Sequence, residues 1–98
     1  MVEDKKLEFA ILNLLLEEDE FNTGLVETDL LSRLRKISTK LPNGEIFRVN
    51  HHSSVIMAHC KLLKQRGYIE YGSHSFSGGN LVGPILPGSY DFLEQHKF

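Results

Sequence analysis

The chain has 98 residues, 41% hydrophobic and 24% charged, with a formal net charge of −2 and one cysteine. That length holds one domain, 1–98, with an adequate core, and a lone cysteine excludes an internal disulfide framework. No apolar run reaches the ~18 residues of a membrane span. The longest, Phe9 to Leu16, leads into Glu17-Glu18-Asp19-Glu20 rather than a small-residue cleavage site, so no membrane partner and a cytoplasmic location are expected.

Charge is divided unevenly along the chain. Residues 1–32 hold nine acids against two lysines, residues 33–66 hold eight bases against Glu45 alone, and residues 67–98 hold three acids against Lys97. A basic middle segment in an acidic chain points to a polyanionic partner; solvated faces balancing acids elsewhere are the alternative.

In chain order, Leu7, Ala10, Ile11, Leu14 and Leu15 predict a first helix from Lys5 to about Asp19, its apolar face widened by Phe9, Leu12 and Leu16. A stripe this broad suits either a central core helix or a contact with a second chain. The acids Glu17 to Glu20 fall where the helix dipole disfavours them, so they are expected to end the helix and stay solvated. Phe21 to Glu27 is a connector with a short strand at Leu25-Val26. Thr28 is the expected N-cap of a second helix burying Leu30, Leu31, Leu34 and Ile37 and exposing Arg33, Arg35 and Lys36. Ser38 to Val49 is too long for a minimal helix-turn-helix connection. It reads as a hairpin or extended loop around Asn43-Gly44, either carrying Lys40 and Arg48 beside the third helix or covering the core with Ile46 and Phe47.

Asn50 to Gly72 is the most informative stretch. Asn50 is the expected N-cap, Ser53 and Ser54 suit a first turn, and Gly67 is a C′ glycine. At about 100° per residue, Ile56, Cys60 and Leu63 form one stripe with His52 and His59 at its edge, and Ser54, Met57, Ala58, Lys61 and Gln65 face away. Tyr68 to Tyr71 alternates as a strand. Ser73 to Asn80 is a turn-rich tip, and Leu81 to Ile85 returns as a second strand with Pro84 suiting an edge or end. Pro87 to Lys97 closes the chain as a helix anchored by Tyr90, Phe92 and Leu93.

Ile56, Cys60 and Leu63 followed by Gly67-Tyr68-Ile69, within the order helix, helix, helix, hairpin, helix, resemble the winged-helix domains of the MarR and PadR regulator groups. The tail from Ile85 to Glu94 is similar to the segment after the wing in small winged-helix proteins of Gram-positive bacteria and their prophages, the YjcQ-like group among them. That segment reads Leu-Thr-x-x-Gly-x-x-Phe-Leu; here Leu86 and Ser89 replace the Thr and the Gly, and Phe92-Leu93 match. The expected fold is mainly α (α+β): a winged helix-turn-helix with a three-helix core, a two- or three-stranded β-wing and a C-terminal helix. The resemblance implies a small bacterial DNA-binding protein, a transcriptional regulator or prophage-associated, and frequently dimeric, here through the first and last helices.

With double-stranded DNA as partner, His51, Ser53, Ser54, Met57 and Lys61 are expected to face the groove, and Arg33, Arg35, Arg48 and Lys64 the phosphates. Serine and histidine lack the bidentate discrimination of Arg or Asn, so sequence specificity is expected to be modest and affinity mainly electrostatic. No metal or other cofactor is expected: His52 and His59 stand ~10 Å apart along a helix, and no pair among His51, His52, His59 and Cys60 has i, i+4 spacing. Neighbouring His59 and Cys60 point apart on a helix, and Ser77 to Asn80 joins two strands rather than a strand and a helix, so no enzyme site is expected. The rival reading is a winged helix that contacts proteins, favoured by the first helix's broad apolar face, an exposed Met57 and an uncharged wing.

Overall fold

The computed structural model describes residues 3–74 and 79–95. Its elements run α1 (Lys5–Glu18), β1 (Leu25–Val26), α2 (Glu27–Lys36), β2 (Ser38–Lys40), β3 (Ile46–Arg48), α3 (Ser53–Gln65), β4 (Ile69–His74), β5 (Gly79–Ile85) and α4 (Gly88–Gln95). This is an α+β fold of helices around a small antiparallel sheet in the order β1-β5-β4, with β2 and β3 forming a separate hairpin. Residues 75–78 of the expected wing tip and 96–97 of the expected tail helix lie outside the described residues.

α1 is the centre of the core. Asp4 caps it, its Oδ1 accepting from the amides of Lys6 and Leu7 at 3.0 and 3.2 Å. Leu7, Ala10, Ile11, Leu12, Leu14 and Leu15 are all buried against α2, α3, β5 and α4. The wide stripe is therefore filled within the chain, and of its residues Leu16 alone is exposed. The acidic end departs from expectation at Asp19, which is buried. Its carboxylate accepts from the amides of Thr23 at 3.0 Å and Gly24 at 2.7 Å, holding the turn between α1 and β1.

That turn feeds a two-residue strand, Leu25↔Val82 and Val26↔Leu81, which passes straight into α2. α2 consequently begins at Glu27, with Val26 in the cap position and Thr28 already inside the first turn. Glu27 is fixed by the Tyr71 hydroxyl of β4 and by Asn80 Nδ2 of β5 at 3.1 Å, so the sheet sets this helix start. Gly24 and Gly83 stand back to back: both have positive φ, and a Cβ on Gly83 would lie 3.2 Å from the Gly24 Cα. Pro84 is not on an edge strand, because β5 is the middle of the three. It is accommodated because β1 pairs only as far as Val82, leaving Pro84 beyond its reach.

Residues 38–49 do contain a hairpin. Its register is Ser38↔Arg48, Thr39↔Phe47 and Lys40↔Ile46, and Gly44 takes a positive φ in the turn. Thr39, Leu41 and Val49 are buried and Phe47 packs on the core, but Ile46 is 59% exposed and covers nothing.

α3 starts at Ser53, not after Asn50. His52 is the cap, its Nδ1 accepting from the Ser54 amide at 3.2 Å. His51 is held outside the helix because its carbonyl accepts from Arg35 and its ring meets Asp4. Gly67, at φ +78°, ends the helix as expected. α4 lies on α1 with Phe92 buried and tilted against Tyr68, whereas Tyr90, expected as an anchor, is 46% exposed.

Candidate nucleic-acid interface

α3 buries Ile56, His59, Cys60 and Leu63 and turns Ser54, Lys61, Lys64 and Gln65 to water, with Ser53, Met57 and Ala58 half-buried. Lys61 and Lys64 border a cleft of about 440 Å³ between α3 and β4, lined also by Gln65, Tyr71 and Gly72. Arg48 is exposed on β3, and Arg35 is exposed at the end of α2, donating to the His51 carbonyl at 3.2 Å.

Two expected site residues are engaged elsewhere. His51 precedes α3, and its Nε2 lies 2.9 Å from Asp4 Oδ2, directing the ring toward the start of α1 instead of a groove-reading face. Arg33 is ion-paired with Glu18 at 2.8 Å and with Asp29, four residues earlier on α2, at 3.2 Å. It is therefore not a free phosphate ligand. Arg66 is likewise taken up, by Glu3 and by the fully buried Glu8 at 2.6 Å.

Ion pairing sorts the basic residues by location. Lys5, Lys6, Arg33 and Arg66 have carboxylate partners; Arg35, Lys36, Lys40, Arg48, Lys61 and Lys64 have none among the described residues. The unpaired set lies in the last turn of α2, the hairpin and α3. Glu45, the sole acid between residues 34 and 65, is neutralised by Lys6 at 2.9 Å. What remains is a positive run without a free carboxylate of its own.

The other titratable groups are structural. His59 is fully buried; the Asp4 amide donates to its Nε2 at 3.0 Å, so its Nδ1–H donates to the Val55 carbonyl at 2.8 Å. Partial burial raises the Asp4 carboxyl, but the Leu7 amide, His51 and the Lys6 amide outweigh it and hold it below the ordinary carboxylate range. Burial, reinforced by the Glu27 charge, pushes the Cys60 thiol up to about 12, which removes its nucleophilic form near neutrality. Among the described residues no three of His, Cys, Asp and Glu converge as metal ligands. No described helix is long and apolar enough to cross a membrane.

The sequence reading overlooked Glu8, although a signal was present: an acid sharing a helical face with Leu12 and Leu15 needs a partner. It also overlooked the linked Asp4, His51 and His59, which has no local signal because Asp4 lies 47 and 55 residues from its partners. Comparisons with protein-family models, curated proteins and solved structures found no match.

Proposed function

We propose that this chain is a cytoplasmic winged-helix protein that binds double-stranded DNA with modest sequence specificity. In this reading α3 lies in the major groove, β4 and β5 form the wing, and β1 closes the sheet against β5. Ser53, Ser54, Met57 and Lys61 approach the base edges, while Arg35, Arg48 and Lys64 take phosphates. The observation that carries the proposal is the confinement of carboxylate-free cations to α2's last turn, the hairpin and α3. Such a run releases counterions when it meets phosphates, so affinity must fall with salt.

A protein-contact role loses its main support because α1's apolar face is consumed within the chain. Phe21, 81% exposed, favours it, but one exposed aromatic is ordinary on a protein surface. Pairing of two copies through α1 and α4 has Leu16 and Tyr90 to draw on, each about half exposed.

Fluorescence anisotropy with a mixed-sequence duplex tests the proposal. Binding at ~50 mM salt that weakens steeply by ~200 mM supports it, and no binding at ~50 mM refutes it. Lys61→Glu is expected to abolish the binding while leaving stability within ~0.5 kcal/mol, because Lys61 is exposed and unpaired. Undiminished binding by that variant excludes α3 as the contact element.

A further inference from the structure

The outer face of the β2–β3 hairpin is unexplained by the core and holds two cations and no acid. In an antiparallel pair, directly opposed residues point the same way and neighbours along a strand point oppositely. The pairings Ser38↔Arg48 and Lys40↔Ile46 therefore put Ser38, Lys40, Ile46 and Arg48 on one face, and all four are exposed. Thr39 and Phe47 occupy the other face, toward the core.

This hairpin is anchored, not a loose flap. Leu41 and Val49 are buried at its two sides, and the Leu41 amide donates to the Glu45 carbonyl at 2.8 Å across the turn. Lys6 reaches both Glu45 oxygens, at 2.9 and 3.1 Å, which ties the turn to α1 and cancels the hairpin's acid. The hairpin also stands at the start of α3: Phe47 packs 6.1 Å from the His51 ring, and Arg35 bridges from α2 to the His51 carbonyl. Lys61 and Lys64 lie in the later turns of α3. Since 13 residues of helix extend ~20 Å, free cations sit near both ends of it.

We propose that the phosphate contact already assigned to Arg48 belongs to a wider surface, the whole outer face of this hairpin, on which Lys40 joins Arg48 in gripping the duplex backbone beside the segment met by α3. The inference rests on the DNA-binding reading and extends it to an element outside the helix-and-wing unit. A guanidinium offers phosphate a two-pronged donor and an ammonium a point charge, and Ser38, directly across from Arg48, adds a hydroxyl. The exposed Ile46 on the same face gains cover from the sugar edge of the backbone.

The test compares wild type, Lys40→Ala/Arg48→Ala and Lys61→Glu on a 30-base-pair mixed-sequence duplex by anisotropy between 50 and 200 mM salt. Losing two phosphate contacts should reduce the slope of log affinity against log salt by ~1.8, so the double variant should lose about 12-fold less affinity than wild type across that range. Melting temperature should not move, because both side chains are exposed and have no ion pair among the described residues. If it does move, Lys40→Gln and Arg48→Gln are measured singly, each expected to remove about half the slope change. A wild-type slope in the double variant, with Lys61→Glu abolishing binding, overturns the hairpin surface and leaves α3 as reader. No duplex binding by wild type overturns both. Hairpin-dependent binding of polyglutamate in place of duplex also overturns the inference, in favour of an acidic protein partner.

Discussion

Glu8→Gln isolates a buried carboxyl whose proton the fold retains toward neutral pH. Glu8 has no exposed surface; its Oε1 accepts from Arg66 Nη1 at 2.6 Å, and its Oε2 has no partner among the described residues. Burial, then Glu3's carboxylate beside it, pushes the Glu8 carboxyl up to about 7 from 4.5, against the opposing charges of Lys5 and Arg66. A raised acid means the folded chain holds a proton that the unfolded chain has released. Its contribution is therefore complete below the unfolded value of 4.5 and is lost as pH rises through about 7. At ~1.4 kcal/mol per pH unit, the loss across that window is about 3 kcal/mol, roughly 15 °C in melting temperature for a chain of this size. Glu3 has the opposite sign: Arg66 and then Lys5 hold its carboxyl far below the ordinary range, so its contribution exists above 4.5 and is lost on acidification. Glutamine keeps an acceptor for Arg66 but cannot ionise. Melting curves of both proteins from pH 4.5 to 8 should show the variant gaining on wild type as pH rises, and the difference cancels histidine contributions common to both. A difference that stays constant across the window refutes the assignment of that titration to Glu8.

Asp19→Ala should cost about 1.5–3 kcal/mol in urea unfolding, because it strips two amides of the α1–β1 turn of a buried charged acceptor, whereas Glu20→Ala on the exposed neighbour should stay within ~0.5 kcal/mol. Equal effects of the two would show that the Asp19 contacts carry no stability. Gly83→Ala should lose about 1–3 kcal/mol, since it combines φ +96° with a Cβ 3.2 Å from the Gly24 Cα; an unchanged urea midpoint would exclude that close approach. Cys60 should resist a thiol reagent in the native protein at pH 8 and react only as fast as the chain opens, so labelling at the rate of a free thiol would contradict its burial.

Much of the helical framework was legible because it depends on local spacing: α1, α3 and the strand after Gly67 follow from where the apolar residues recur. The errors occur where distant residues set a local choice. Thr28 and Asn50 are better caps by type than Val26 and His52. Yet pairing of Val26 with Leu81, and the hold of Arg35 and Asp4 on His51, decide where α2 and α3 begin. Of the two places Pro84 suits, an edge or a strand end, the second is the one observed, next to last in β5; nothing local reveals that β5 is central and that a two-residue strand pairs with only part of it. One error was avoidable: Asp29 and Arg33 are four residues apart on one helix, and that spacing alone marks Arg33 as paired.

The charge of the candidate surface shows why net charge along a sequence is a poor measure of what a partner meets. Residues 33–66 have eight bases and one acid, but the fold edits that count from both sides. Acids of the first 32 residues neutralise the segment's two ends, Glu18 and Asp29 at Arg33 and Glu3 and Glu8 at Arg66. A base from the same region, Lys6, neutralises the segment's acid, Glu45. Arg35, Lys36, Lys40, Arg48, Lys61 and Lys64 are left without an ion-pair partner among the described residues. Exposed ion pairs contribute little to stability, so the pairings of Arg33 and of Lys6, unlike the one on buried Glu8, matter more for where they leave charge free than for holding the chain together. A chain of net charge −2 can in this way keep a stretch of sequence rich in unpaired cations, and if the proposed duplex binding holds, its salt dependence counts how many of them meet phosphate.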